Sequence, residues 1–235
     1  MSSQNKMIKK ILLYLILIFS SYSQAQTVGG GVFIGVPQGD FKSNVNNLGY
    51  GFEVHGTLWS PSAERPVSVG LNVGYLVYGM KTERRPFSLT IPEVGVDVTR
   101  TNSLANMHLL VQVNPFGGTI QPYIEGLFGG AYIFTNTDIK SDYKNEKIAS
   151  TVNYDDFTWS YGAGAGLLFQ LKKDLGDVSV LFLDLKARYI YGSEAQYLTE
   201  TGIVINPANS QVYYYPKKSR TDLLSFQIGV VAYIN

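Results

Sequence analysis

Between Val178 and Tyr191 the sequence VSVLFLDLKARYIY separates into two chemically different faces when every second residue is taken. Leu181, Leu183, Leu185, Ala187, Tyr189 and Tyr191 form an apolar set, and Phe182, Asp184, Lys186 and Arg188 form a mostly ionic one. Side chains of a β-strand point alternately to opposite faces, so this stretch is a strand with an oily side and a charged side. Two environments accommodate such a strand. In a soluble sheet the apolar face looks into a core and the charged face onto water; in a transmembrane barrel the apolar face looks into lipid and the charged face into the lumen.

The start of the chain bears on the compartment. Lys6, Lys9 and Lys10 precede an apolar run from Ile11 to Phe19, followed by small and polar residues ending Ser23-Gln24-Ala25. A basic segment, a short apolar core and a small-x-Ala site read as a signal peptide over residues 1–25, cleaved near Ala25. The run is shorter than the ~20 residues a membrane-crossing helix needs. Cleavage removes three Lys and no acid from 19 basic and 18 acidic residues, leaving 16 against 18, a balance that gives no reason to expect nucleic acid as a partner. With no Cys, neither a lipid-modified cysteine nor a disulfide framework is available.

Seven more alternating segments are predicted in residues 26–235, which form one barrel domain: Thr27–Val36, Gly49–Ser60, Val67–Tyr78, Ser103–Asn114, Ile120–Phe134, Phe157–Leu171 and, after the stretch above, Leu223–Asn235. The third is the cleanest, with Val67, Val69, Leu71, Val73, Tyr75 and Val77 set against Ser68, Gly70, Asn72 and Gly74. Connections alternate in length. Pro37–Leu48, Gly79–Thr101, Asn136–Asp156 and Gly192–Asp222 read as long polar loops, and the connections between them are short. Long loops at one end, short turns at the other and strands of ~9–11 residues are the pattern of an eight-stranded antiparallel up-and-down transmembrane β-barrel. Trp59, Tyr75, Tyr78, Tyr132, Phe134, Trp159, Tyr191 and Tyr233 fall at strand ends, where interfacial aromatic girdles are expected.

The chain resembles the small outer-membrane β-barrel domain family, the group with the OmpA transmembrane domain and the OmpX-like and OmpW-like barrels. The local carrier is Gly35-Val36-Pro37-Gln38-Gly39-Asp40-Phe41 after the first strand, and the topology carries more. The resemblance implies residence in the outer membrane of a Gram-negative envelope, with outer-membrane lipid around the wall and the barrel assembly machinery as a partner. Such barrels often end on a Phe read by that machinery; this chain ends Tyr233-Ile234-Asn235, so the assembly signal is expected slightly upstream.

Parity places Glu53, His55, Asn72, Asn106, His108, Gln112, Glu125, Asp184, Lys186 and Arg188 in the lumen. Eight strands leave an interior that side chains can fill, so these groups are expected to satisfy one another as a polar network, Glu53, Glu125 and Asp184 pairing with Lys186 and Arg188. Glycines on facing positions make room for the long side chains. The alternative is a narrow gated channel for small solutes or ions, or an OmpW-like conduit for hydrophobic solutes. A lipid-modifying barrel enzyme would place His and Ser on the lipid face or outer rim; both His here point inward, so no enzymatic role is expected. No cofactor and no metal site are expected, since His55 and His108 lie on strands separated by another strand. In the loops, Arg84, Arg85, Lys217, Lys218 and Arg220 are candidates for contact with lipopolysaccharide phosphates or an extracellular partner, against the plainer reading as solvated charge. Tyr213, Tyr214 and Tyr215 read as an extension of the outer aromatic belt or an adhesive tip. The function expected is structural, surface-interaction or adhesive, over a polar, largely plugged lumen.

Overall fold

The computed structural model describes residues 26–86, 95–141, 147–206 and 211–234; the expected signal peptide lies outside them. Eight strands close into a barrel: β1 (Gln26–Pro37), β2 (Gly49–Thr57), β3 (Val67–Pro86), β4 (Gly95–Val113), β5 (Ile120–Ser141), β6 (Lys147–Leu175), β7 (Val178–Gly192) and β12 (Leu223–Ile234). Each pairs antiparallel with its sequence neighbours among the eight, and β1 pairs with β12 to complete the ring. Closure leaves no unpaired edge at membrane depth, which hydrocarbon requires because it offers no partner for a bare N–H or C=O. The twelve residues of β1, at ~3.3 Å each and tilted ~40°, rise about 30 Å, the thickness of a bilayer core.

The alternation turns apolar side chains outward. Val32, Ile124, Phe128 and Trp159 are 59–61 % exposed, while Glu125, Asp184, Lys186 and Arg188 are at most 5 % exposed. A water-soluble sheet would invert this arrangement; an apolar outer wall around a charged interior is a membrane barrel. Aromatic rings circle the wall toward the end carrying the long connections, with Phe52 against Tyr75, Tyr75 against Phe134, Tyr132 against Phe134, Phe128 against Trp159 and Tyr161 against Tyr191, at centroid separations of 5.3–6.4 Å. Two expected girdle members are instead interior: Tyr78 is 1 % and Tyr233 is 7 % exposed. Their positions follow the inward parity of their strands, which overrides their location at strand ends.

The loops hold more structure than the sequence reading gave them. Gly79–Thr101 and Asn136–Asp156 are largely continuations of β3–β4 and β5–β6, paired out to Pro86↔Gly95 and Lys140↔Lys147. Above the rim the outward face meets water rather than lipid and turns polar, so the apolar–polar alternation that marks a strand in the wall is lost, although β-branched residues such as Val98, Thr99, Thr135 and Thr137 persist. The register shift between Val77 and Gly79 reverses the parity of β3 above it. Met80, Thr82 and Arg84 are therefore exposed, and Lys81, Glu83 and Arg85 are partly covered. The first loop carries a short helix, α1 (Gly39–Asn44). The last folds into two small hairpins, β8 (Glu194–Tyr197) with β11 (Lys217–Arg220) and β9 (Ile203–Ile205) with β10 (Val212–Tyr214). The second strand ends at Thr57, so Trp59 lies in the following turn, its Nε1 donating to Val67 O.

Candidate functional site

Within the barrel, β2, β5 and β7 bring their inward charges to one level. Arg188 is the hub. Its Nε and Nη2 grip Glu125, the latter at 3.1 Å from Oε2, while Nη1 donates to Glu53 Oε2 and, at 3.1 Å, to Asn72 Oδ1. A guanidinium has a fixed planar fork, so two carboxylates and an amide around it define one geometry. Lys186 extends the chain, with Nζ 3.0 Å from Glu53 Oε1 and 3.4 Å from Asp184 Oδ2, and Tyr123 OH donates to Asp184 Oδ1 at 2.7 Å. The order is Asp184, Lys186, Glu53, Arg188, Glu125: three carboxylates against two cations. Gly164 faces Arg188 across β6–β7, and a Cβ there would lie 2.7 Å from Arg188 Cγ, so only glycine leaves the side chain its path.

His108 Nε2 is 2.7 Å from Ser160 Oγ, and His55 and His108 flank Asn72 across β2–β3–β4. A Ser–His pair is the starting geometry of a nucleophilic site. Here Ser160 and His108 face the barrel interior and are 3 % and 2 % exposed. Asn72, Gln112 and Glu125 are buried as well, Asn106 is partly buried, and no group of three or more His, Cys, Asp or Glu forms a metal site among the described residues.

Apolar clusters lie at both ends of this network, which parity alone did not anticipate. At the end of the long connections Phe33, Leu76, Leu104 and Ile133 from the wall meet Phe41 and Tyr197 from the loops. Phe41 is fully buried and packs edge-on against Tyr78 and Tyr197 at 5.5 and 5.1 Å. At the end of the short turns Tyr123, Leu168, Phe182, Val231 and Tyr233 form the second cluster. The inward Leu and Phe in otherwise polar half-strands were the available signal: Leu76, Leu104, Leu168 and Phe182 all fall on inward parity.

Beyond the rim, β3–β6 continue as a four-stranded projecting sheet. Pairing of β3 with β2 stops at Val77, and that of β6 with β7 at Ser160; among the described residues the outer parts of β3 and β6 join no further ladder on that side, and β6 is bonded there to Ser193 and Gln196 of the last connection. The inner face is covered, with Val96, Val98, Arg100, Leu198 and Ile203 buried. Glu83 collects Lys81 at 2.7 Å, Arg85 at 2.7 Å and Arg100 at 3.8 Å. Hydrogen bonds from Lys81 and Arg85 hold the Glu83 carboxyl down to about 2. On the neighbouring hairpin, Lys147 at 2.8 Å and Ser150 at 2.6 Å bind Asp138, whose pKa is lowered by those bonds.

The loop cations do not form one patch. Arg84 points outward, Arg85 is paired inward, Lys218 pairs with Glu194 at 3.0 Å, and Arg220 sits 3.5 Å from Asp222 and over the Tyr191 ring. Lys217 is exposed on β11. Tyr213 and Tyr214 belong to the β9–β10 arm, and Tyr215 N bonds to Gly202 O at its base; all three are exposed. Tyr214 OH accepts from Asn153 Nδ2 of β6 at 3.2 Å, which ties the arm to the outer part of that strand.

No family model and no curated protein matches the chain. Among solved structures it is similar to neisserial surface protein A, with 8 % identity over 88 % of this chain and 96 % of that one, TM-score 0.35. It is also similar to Ail, the attachment invasion locus protein of Yersinia pestis, with 13 % identity over 90 % and 99 %, TM-score 0.32. A third is a major outer membrane protein from Thermus thermophilus, with 11 % identity over 90 % and 100 %, TM-score 0.39. These neighbours are outer-membrane β-barrel proteins, the class the sequence resembles; the fold itself rests on this chain's own closed register.

Proposed function

We propose that the protein is a closed barrel of the outer membrane whose work is done outside the cell by the projecting β3–β6 sheet and the β9–β10 arm, in a non-enzymatic surface-interaction role. The observation that carries this reading is the sheet itself: a wall needs strands only as long as the bilayer is thick, yet β5 and β6 run to 22 and 29 residues. Backbone that extends past the rim with a salt-bridged tip is built to meet something in solution. The two apolar clusters support the second half of the reading, a lumen that does not conduct. They lie at the two ends of the charged network, whose ions are cross-linked to one another. A gated channel would need both clusters to part.

The chain has no Cys, so single-cysteine labelling is free of background. Thr82→Cys on the projecting sheet should react with a membrane-impermeant maleimide on intact cells. Ala63→Cys, in the exposed turn between β2 and β3, should react only after lysis. The reverse pattern, or labelling of neither in a folded barrel, would remove the proposal.

A further inference from the structure

A second site lies where the first and last long connections meet over the rim, apart from the projecting sheet on which the proposed function rests. Residues Asn44 to Asn47, at the end of α1, face Thr199, Glu200 and Thr201 across a cleft of about 210 Å³ floored by Tyr78 and Asn102. This is below the ~300 Å³ at which pockets for drug-sized ligands begin, and suits one ring.

The lining chooses the ligand's chemistry. Apart from Val45 it is amide, hydroxyl and a single carboxylate, with no Lys or Arg, so an anion meets no counter-charge there. Each Asn amide both donates and accepts, matching hydroxyl groups that do the same. The walls are fixed from behind. Asn44 Nδ2 donates to Tyr197 OH at 3.0 Å, Asn47 Nδ2 to Glu200 Oε1 at 3.0 Å, and Asn102 Oδ1 accepts from Thr135 Oγ1 at 2.7 Å. Glu200 Oε1 also accepts Met80 N at 3.1 Å, locking the last loop to β3. One group of each of these amides is thus held by the protein. Asn46 is exposed and makes no side-chain hydrogen bond among the described residues. Buried Phe41 and Val45 anchor the segment that carries it.

Across the Asn47–Glu200 bridge lies a second cleft of about 490 Å³, walled partly by Leu48, Tyr50, Val77 and Met80. Leu48, Tyr50 and Met80 are 64, 56 and 52 % exposed, at the end of the wall that carries the long connections. A polar cleft beside one of mixed character, bordered by exposed apolar side chains, fits an amphiphile with a hydroxylated head.

We infer that the Asn44–Asn47 and Thr199–Thr201 cleft binds a neutral saccharide ring, from a glycolipid or from a free glycan. The probes are the dodecyl glycosides of glucose, galactose and mannose, the three free sugars, and dodecylphosphocholine as a sugar-free control. They are titrated into the refolded protein in phosphatidylcholine nanodiscs while the side-chain amides of Asn44, Asn46, Asn47 and Asn102 are followed by NMR. At least one sugar should shift these amides saturably. Asn46→Ala, which removes no internal bond and should keep the heat-modifiable migration of a folded barrel, should weaken that binding about tenfold, or about 1.4 kcal/mol. A dodecyl glycoside at least tenfold tighter than its free sugar identifies a glycolipid as the source; equal affinity identifies a free glycan. Absence of shifts with every sugar probe, equal shifts with dodecylphosphocholine, or unchanged affinity in Asn46→Ala would each overturn the inference.

Discussion

Replacing Arg188 by Met tests the lumen network at its hub. The guanidinium makes four hydrogen bonds, two to Glu125 and one each to Glu53 and Asn72. At about 1.5 kcal/mol per bond to a charged group these would total about 6 kcal/mol. That sum overstates the loss, because the cation also suffers desolvation that Met escapes; removing one partner of a buried ion pair typically costs about 3–5 kcal/mol. The larger part of that cost is the charge left behind: three carboxylates would face Lys186 alone. Arg188→Met should therefore lower the free energy of unfolding by about 3–5 kcal/mol, read by urea titration in lipid vesicles using Trp59 and Trp159 fluorescence. Pairing it with Glu125→Gln restores the original charge balance, and the double variant should recover at least half of the loss. A single variant within about 1 kcal/mol of the wild type, the worth of an exposed ion pair, would refute the reasoning, as would a double variant no better than the single.

Gly164→Val places carbon 2.7 Å from Arg188 Cγ and 2.9 Å from Ala187 O, and should cost about 1–3 kcal/mol by overpacking in the same titration. Phe41→Ala empties a fully buried site against two tyrosines and should cost about 3–5 kcal/mol in that titration, with faster amide exchange in the 39–47 segment. The depressed Glu83 carboxyl gives the projecting hairpin a stabilisation that is present above pH about 4.5 and is lost as pH falls through about 2. Amide exchange of residues 81–85 should rise over that window, and Glu83→Gln should abolish the dependence.

The wall was legible in the sequence because lipid enforces contrast: every outward position must be apolar, so period-two alternation stays sharp through Val67–Val77 and Leu181–Tyr191. The positions of the lumen charges follow from the same parity. Partners do not, since which of Glu53, Glu125 and Asp184 meets Arg188 depends on the shear between strands that are not neighbours in sequence. The hairpin extensions were hidden for the opposite reason. Above the rim the outward face meets water instead of lipid and the covered face mixes Val98 with Arg100 and Thr137, so the chemical contrast between faces is lost, and the shift at Val77/Gly79 reverses parity there. Arg84 and Arg85, adjacent in sequence, fall on opposite faces by ordinary strand alternation, and the reversal makes Arg84 the outward one. The apolar ends of the lumen were visible as inward Leu76, Leu104, Leu168 and Phe182, but their meaning required the loops, because Phe41 and Tyr197 complete the upper cluster from outside the wall.

The central claim, a sealed charged lumen beneath an external binding surface, meets its most direct test in single-channel recording of the refolded mature protein in a planar bilayer, with heat-modifiable migration confirming insertion-competent folded barrel. The account predicts a silent membrane across the voltage range for the wild type. Discrete openings in the wild type, altered by Asp184→Ala, would contradict it and make the Asp184–Lys186–Glu53–Arg188–Glu125 chain the lining of a gated pore.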